Sequence, residues 1–203
     1  MSIEVKISNK PVTYKKAMFT LEKRVNEVKK GNKRELLWLL EHPITYTGGI
    51  RYSENDILDK KINIIKTNRG GKITLHNPGQ KIIYFVIDLN KRKRDVRIFL
   101  KIIENSIIEF LNIYKIKSKA DRKNIGIWVD DKKISAIGIR IKRWIAYHGC
   151  SINISNNLSD YKKIVPCGLN NKKVTSFKEL GIYKPKFLNK NFSKIFIKNL
   201  SKI

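Results

Sequence analysis

Two short apolar runs constrain this chain more than anything else in it: Leu36-Leu37-Trp38-Leu39-Leu40 and Ile82-Ile83-Tyr84-Phe85-Val86-Ile87. Neither alternates polar with apolar. The first lies within residues 34–41, flanked by charge and by Pro43, and reads as a buried strand. The second lies within a strand at 81–89. Both fall far short of the ~20 apolar residues that span a bilayer. Buried strands need cover, and helical spacing supplies it. Residues 13–30 place Ala17, Met18, Leu21, Val25 and Val28 three and four apart, with Gly31 as a stop. Residues 94–114 carry the longest stripe, including Phe99, Ile103, Ile107, Phe110 and Leu111. Residues 187–203 turn Phe192, Ile195, Phe196 and Leu200 inward. Further strands are expected at 62–67 and 72–76 around the turn Asn68-Arg69-Gly70-Gly71, at 125–130 and 133–144 around Asp130-Asp131-Lys132, and at 146–154. Residues 1–8 suit a short edge strand and 56–58 one helical turn. Residues 175–180 are expected to begin a helix capped by Thr175. The pattern predicts one α+β domain over residues 1–203, a mixed β-sheet flanked by helices.

Charge is the loudest feature of the composition and a poor guide to function. Forty-four Lys+Arg against 17 Asp+Glu give +27, which alone suggests a polyanion partner. Yet 34 of the 44 are Lys and only 10 are Arg, the residue that reads guanine bidentately. Ile (33) and Asn (19) are inflated alongside Lys, and no nucleic-acid site calls for extra Ile. A codon bias towards A and T accounts for all three together. No specific nucleic-acid partner is therefore expected, nor membrane insertion. The first ten residues show no signal-peptide core, and two cysteines make no disulfide framework. A cytoplasmic protein with reduced thiols is expected.

Several chemistries are excluded. His42, His76 and His148 fit no zinc spacing, so no metal site is expected. The phosphate loop, the dinucleotide fingerprint and the serine nucleophile elbow are all missing, and no cofactor is expected. Four segments instead concentrate small or chemically special residues: Glu41-His42-Pro43 through Gly49; Arg69 through Gln80; Lys133 through Arg140, followed by Tyr147-His148-Gly149; and Ile164-Val165-Pro166-Cys167-Gly168-Leu169, followed by Val174-Thr175-Ser176. Taken singly, paired glycines are a tight turn, a strand-end His is structural, and a strand-opening Lys is a solvated edge charge. Together they hold all three His, and they place Cys167 between Pro and Gly, on a turn that could present its sulfur.

In this joint order, LLEHP-x-x-YT, RGG-x-x-T-x-H-x-PGQ, K-I-x-A-I-G-I-R, HG and PCG with VTS, the chain resembles the lipoyl(octanoyl) transferases across about residues 34–181. The resemblance implies the α+β catalytic fold shared with biotin and lipoate ligases. It implies transfer of an octanoyl group from octanoyl-acyl carrier protein, through a thioester on Cys167, to a lysine of a lipoyl domain. Lys133 would lower the Cys167 pKa and move protons, because a free thiol near pKa 8.5 is mostly protonated at neutral pH. Arg69, Gly70, Gly71, Lys72, Ile73, Thr74, Leu75 and His76 match the substrate loop and strand. Ala136, Ile137 and Gly138, with Gly149, Cys150 and Ser151, match two acyl-site segments whose small residues leave room for the chain. The acceptors implied are lipoyl domains of 2-oxoacid dehydrogenase acyltransferase subunits and the glycine-cleavage H protein.

Two positions depart from the family pattern. Asn77 stands where Gly is usual, and Asn tolerates positive φ. Cys150 stands in an apolar segment and reads as a small wall residue rather than a second nucleophile. An ATP-dependent lipoate ligase of the same fold is the alternative, with Lys133 then binding an acyl-adenylate; the HNPGQ segment and Cys167 argue against it. A charge-only nucleic-acid binder is a weaker alternative that lacks any recognition motif. Lys91-Arg92-Lys93-Arg94 and Lys162-Lys163 are candidate cations for steering acidic carrier domains.

Overall fold

The computed structural model describes residues 3–121, 123–165 and 173–203. An eight-stranded mixed sheet forms the centre. Its main path runs β1 (Ile3–Ile7), β2 (Glu35–Leu40), β6 (Gln80–Asp88), β10 (Ile145–Asn153), β9 (Lys132–Lys142), β8 (Ile127–Val129) and β7 (Lys119–Ala120). β1 pairs parallel with β2, the later pairings on this path are antiparallel, and β11 (Lys173–Val174) adds parallel to β9. A second, three-stranded sheet, ordered β4 (Ile64–Lys66), β3 (Thr45–Gly48) and β5 (Ile73–His76), stands apart.

The apolar runs are continuous because both of their faces are covered. Leu36, Trp38 and Leu40 of β2, with Ile82, Tyr84 and Val86 of β6, pack against Ala17, Leu21, Val25 and Val28 of α1 (Tyr14–Lys29). The alternate residues Leu37, Leu39, Ile83, Phe85 and Ile87 face α2 (Val96–Ile113) and α3 (Leu188–Leu200), through Phe99, Ile103, Phe110, Phe192 and Phe196. Thr13 caps α1, its Oγ1 accepting from Lys16 N at 3.4 Å. Asp95 caps α2, accepting from Arg97 N and Ile98 N at 2.8 and 3.2 Å. Among the described residues no helix is long and apolar enough to cross a membrane.

Four local expectations change. Residues 178–180 form one 3-10 turn ended by Gly181 at φ 81°, not a helix begun at Thr175. The Thr175 N–H is committed to Lys133 O at 3.0 Å, and Ser176 Oγ accepts from Glu179 N at 3.2 Å. Asn77 is not in the left-handed region; the positive φ of that turn sits at Gly79 (85°). Asn77 instead works through its amide, donating to Asn157 O and Asp160 Oδ2 at 2.9 and 3.0 Å and accepting from Asn156 Nδ2 at 3.0 Å. Arg92 is no steering cation. Its guanidinium forks onto the Glu35 carboxylate, with Nη2 to Oε2 at 2.7 Å, and both side chains are buried at 4% and 5% exposure. Finally, Arg143 and Trp144, expected at the end of the 133–144 strand, form the two-residue turn between β9 and β10, both at positive φ (53° and 63°) without the usual Gly or Asn.

Candidate active site

The site grows from the register of β9 and β10. Their pairing sets Gly138 opposite Gly149, Ile137 opposite Cys150, and Ala136 opposite Ser151. The two segments singled out in the sequence are thus cross-strand neighbours. Each glycine answers a close approach. A Cβ on Gly149 would lie 1.9 Å from Ile83 O on β6. One on Gly138 would lie 3.2 Å from both Gly70 O and Arg69 Cδ. The loop between β4 and β5 lies over this part of β9, and Gly70 N donates to Ile139 O at 3.1 Å. Arg69 braces that loop: Nη2 donates to Thr47 O and Oγ1 at 2.7 and 2.9 Å, and Nη1 to Gly70 O at 3.0 Å.

Between loop and strands is a cavity of about 620 Å³, within the size range of small-molecule sites. Of the residues expected at the site, Arg69, Gly70, Gly71, Lys72, Ile73, Thr74, His76, Lys133, Ala136, Ile137, Gly138, Gly149, Cys150 and Ser151 all line it. Leu75 does not. It packs into the small core with Tyr46, Tyr161 and Ile164. Cys167 lies outside the described residues. Sequence reasoning missed Tyr14 on α1, Ile82 and Tyr84 on β6, and Val96 and Leu100 at the start of α2. Their positions fit ordinary core stripes, so nothing in the sequence marked them as lining.

Lys133 is 6% exposed, although it stands beside a strand's first residue. Its Nζ donates to Ile125 O at 3.1 Å and lies 4.8 Å from the centroid of the Trp128 ring, its cross-strand neighbour. Gly126 at φ 143° makes room for it, since a Cβ there would come within 3.1 Å of Lys133 Cε. β11 pairs Val174 with Lys133. The chain that follows the Cys167 segment is therefore tied to β9 at this lysine.

The cavity's charge is one-sided. Arg51, Arg69, Lys72, Lys123 and Lys133 line it, and no carboxylate does among its described residues. Two carboxylates touch lining residues from outside: Asp121 accepts from Lys123 N at 2.8 Å and Asn124 Nδ2 at 2.9 Å, and Asp56 lies 4.0 Å from Lys72 Nζ. The three histidines add no charge. Burial holds His42 at about 4 and His76 and His148 at about 3, with nearby groups adding to the effect at the latter two. Their hydrogen bonds fit the neutral ring. His42 Nδ1 donates to the Val12 carbonyl, which leaves Nε2 to accept from Tyr84 OH at 2.9 Å. His76 Nδ1 donates to Gln80 Oε1 at 2.8 Å, while Gln80 Nε2 donates to Asn153 Oδ1 and Tyr161 OH, both at 2.9 Å. Cys150 is fully buried, and burial pushes its thiol far above the ordinary range. It forms part of the cavity wall.

Residues 13–200 match the family described as "Lipoyl protein ligase A/B catalytic domain". The octanoyltransferase of Wolbachia sp. subsp. Brugia malayi (strain TRS) is 41% identical, over 96% of this chain and 100% of its own length. That of Ehrlichia canis (strain Jake) is 43% identical, over 89% of this chain and 87% of its own. Among solved structures, a lipoate-protein ligase A bound with ATP superposes with a TM-score of 0.72 at 12% identity, covering 100% of this chain and 85% of that one. Protein Ta0514 of T. acidophilum gives 0.73 at 12%, covering 99% and 86%. At these identities the structural likeness establishes the shared fold.

Proposed function

The chain belongs to the lipoyl protein ligase A/B catalytic-domain family, and from this we propose that it is an octanoyltransferase that octanoylates lipoyl domains during protein lipoylation. The observation that carries the reading is Lys133: a buried lysine on the cavity wall, at the point where the chain returns from the Cys167 segment to β9.

The reaction divides into two acyl transfers. The Cys167 thiolate attacks the thioester carbonyl of octanoyl-acyl carrier protein. A new C–S bond forms, the carrier thiolate leaves, and it takes a proton from the Lys133 ammonium, which becomes the free amine. The ε-amine of the lipoyl-domain lysine then attacks the acyl-enzyme. Its C–N bond replaces the C–S bond, and the amine's proton passes to Lys133 as the thiolate departs. Thioester chemistry drives both steps, so ATP is not consumed. The cavity, positive and without a carboxylate among its described residues, supports each step. It favours a thiolate over a thiol, and it favours the free amine of the entering lysine over its ammonium. The apolar part of the wall suits the tail: six buried methylenes at ~0.8 kcal/mol each give about 5 kcal/mol. Cytoplasmic acceptors of the 2-oxoacid dehydrogenase and glycine-cleavage systems complete the reading. The remaining exposed cations of residues 91–94 and Lys162-Lys163 are suited to steering acidic carriers.

Octanoyl-acyl carrier protein mixed with an apo lipoyl domain and this chain, without ATP, should yield the octanoyl-amide on the domain's lysine. A product that appears only when ATP and free octanoate are supplied would replace this reading with the ligase one.

A further inference from the structure

We propose that His148 is a positioning residue that clamps the Asn68–Gly71 loop onto the sheet and thereby sets the width of the acyl slot. This inference rests on the octanoyl-transfer reading. Three observations point to it. First, His148 is held at φ 68° in the interior of β10, with its neighbours paired in regular register to β6 and β9. The left-handed region favours glycine and costs other residues energy, and such strain persists where surrounding contacts enforce it. Second, the ring is 2% exposed, and Nδ1 is buried with no hydrogen-bond partner. Conformation and solvation are therefore both unfavourable at this residue. Third, the contact obtained in return is specific: Nε2 donates to Asn68 Oδ1 at 2.8 Å. Arg140 Nη1 holds the same residue by its carbonyl at 3.0 Å.

Asn68 immediately precedes Arg69-Gly70-Gly71, whose backbone forms the cavity wall facing Gly138. Downstream the loop is pinned by Gly70 N to Ile139 O, and Ile139 is the cross-strand partner of His148. The two glycine walls are thus joined on both sides of the slot. Tyr147 stacks on the imidazole at 4.8 Å between ring centroids and fixes its plane. Releasing Asn68 would let the loop lift, so that the slot accepts longer chains and grips octanoyl less well.

The test is His148→Asn, because Asn accepts positive φ but is too short to hold Asn68. We expect KM for octanoyl-acyl carrier protein to rise about tenfold with little change in kcat, on the scale of one lost hydrogen bond. The preference for octanoyl over dodecanoyl donors should narrow, and the Gly70 amide should exchange faster with solvent. The melting temperature should fall by only a few degrees, because the eased backbone strain offsets part of the lost hydrogen bond and ring packing. Asn68→Ala should reproduce the kinetic effect, with the double variant no worse than either single one. Unchanged KM, selectivity and Gly70 exchange would overturn the proposal, as would a fall in melting temperature with selectivity intact. If the wild type accepts no octanoyl group at all, the functional reading fails instead. The exchange rate and melting temperature then still decide the clamp.

Discussion

Replacing Gly149 with Ala adds one methyl group at the point where the structure has least room for it. The added Cβ would start 1.9 Å from Ile83 O, and contacts under 3.0 Å are essentially never seen for real Cβ atoms. The obstacle is backbone, so no rotamer change relieves it; β10 must move from β6 by on the order of 1 Å. Gly149 pairs with Tyr84 and is flanked by His148↔Phe85 and Cys150↔Ile83, so the shift strains a ladder at the centre of the sheet. Overpacking of this kind costs about 1–3 kcal/mol, and the upper end applies where backbone opposes backbone. For a chain of this length, about 3 kcal/mol lowers the melting temperature by roughly 6–12 °C. Calorimetry of Gly149→Ala should show that drop. Gly181→Ala is the control: its Cβ meets nothing within 4 Å, so only the strain of φ 81° remains, about 1 kcal/mol. If Gly149→Ala melts within 2 °C of the wild type (about 1 kcal/mol or less), the close approach of β10 and β6 is not as described.

Three further outcomes are expected. Lys133→Met should fold yet lose at least about a hundredfold in transfer rate, and Lys133→Arg should not restore it, because an arginine neither shuttles protons nor fits the space beside Gly126; steady-state kinetics with circular dichroism check this. Arg92→Ala should cost about 3–5 kcal/mol in urea unfolding by stranding the Glu35 carboxylate, whereas replacing both residues with apolar ones should cost much less. Stability should also fall with acid. His42, His76 and His148 have folded pKa values of about 4, 3 and 3, below the ordinary 6.5, so the unfolded chain takes up protons first. Their contribution is complete above pH 6.5 and is lost between there and about pH 3–4, at roughly 1.4 kcal/mol per pH unit per histidine. A flat unfolding free energy from pH 7 to pH 5 would contradict their burial as neutral rings.

The central layers were legible because their signal is burial itself. The two apolar runs could be placed as strands, and the three helical stripes as their cover, without tertiary information. The three-stranded sheet was half legible. Strands near 62–67 and 72–76 were expected, but Thr45–Gly48 joins them only through pairing that no local pattern announces. β7 and β11, two residues each, carry no periodicity at all. Thr175 illustrates the reverse error: a good capping residue whose N–H is taken by Lys133 O, so tertiary pairing overrides local preference. At the site, motif order located the walls, and the β9–β10 register explains why two glycine-bearing segments act together. Leu75 falls inside the motif, yet its side chain packs with Tyr46, Tyr161 and Ile164 in the small core. Tyr14, Tyr84, Val96 and Leu100 were invisible because each lies in a helix or strand segment where an apolar or aromatic residue reads as ordinary packing. The charge of +27, loud in composition, narrows to a cavity with five lining cations and no carboxylate among its described residues.

The account turns on a covalent acyl group at Cys167, and intact-mass spectrometry after incubation with octanoyl-acyl carrier protein tests it most directly. The wild type and Cys150→Ala should each gain a single octanoyl group that hydroxylamine removes, and Cys167→Ala should gain none. An adduct that survives in Cys167→Ala, or disappears in Cys150→Ala, would contradict the account.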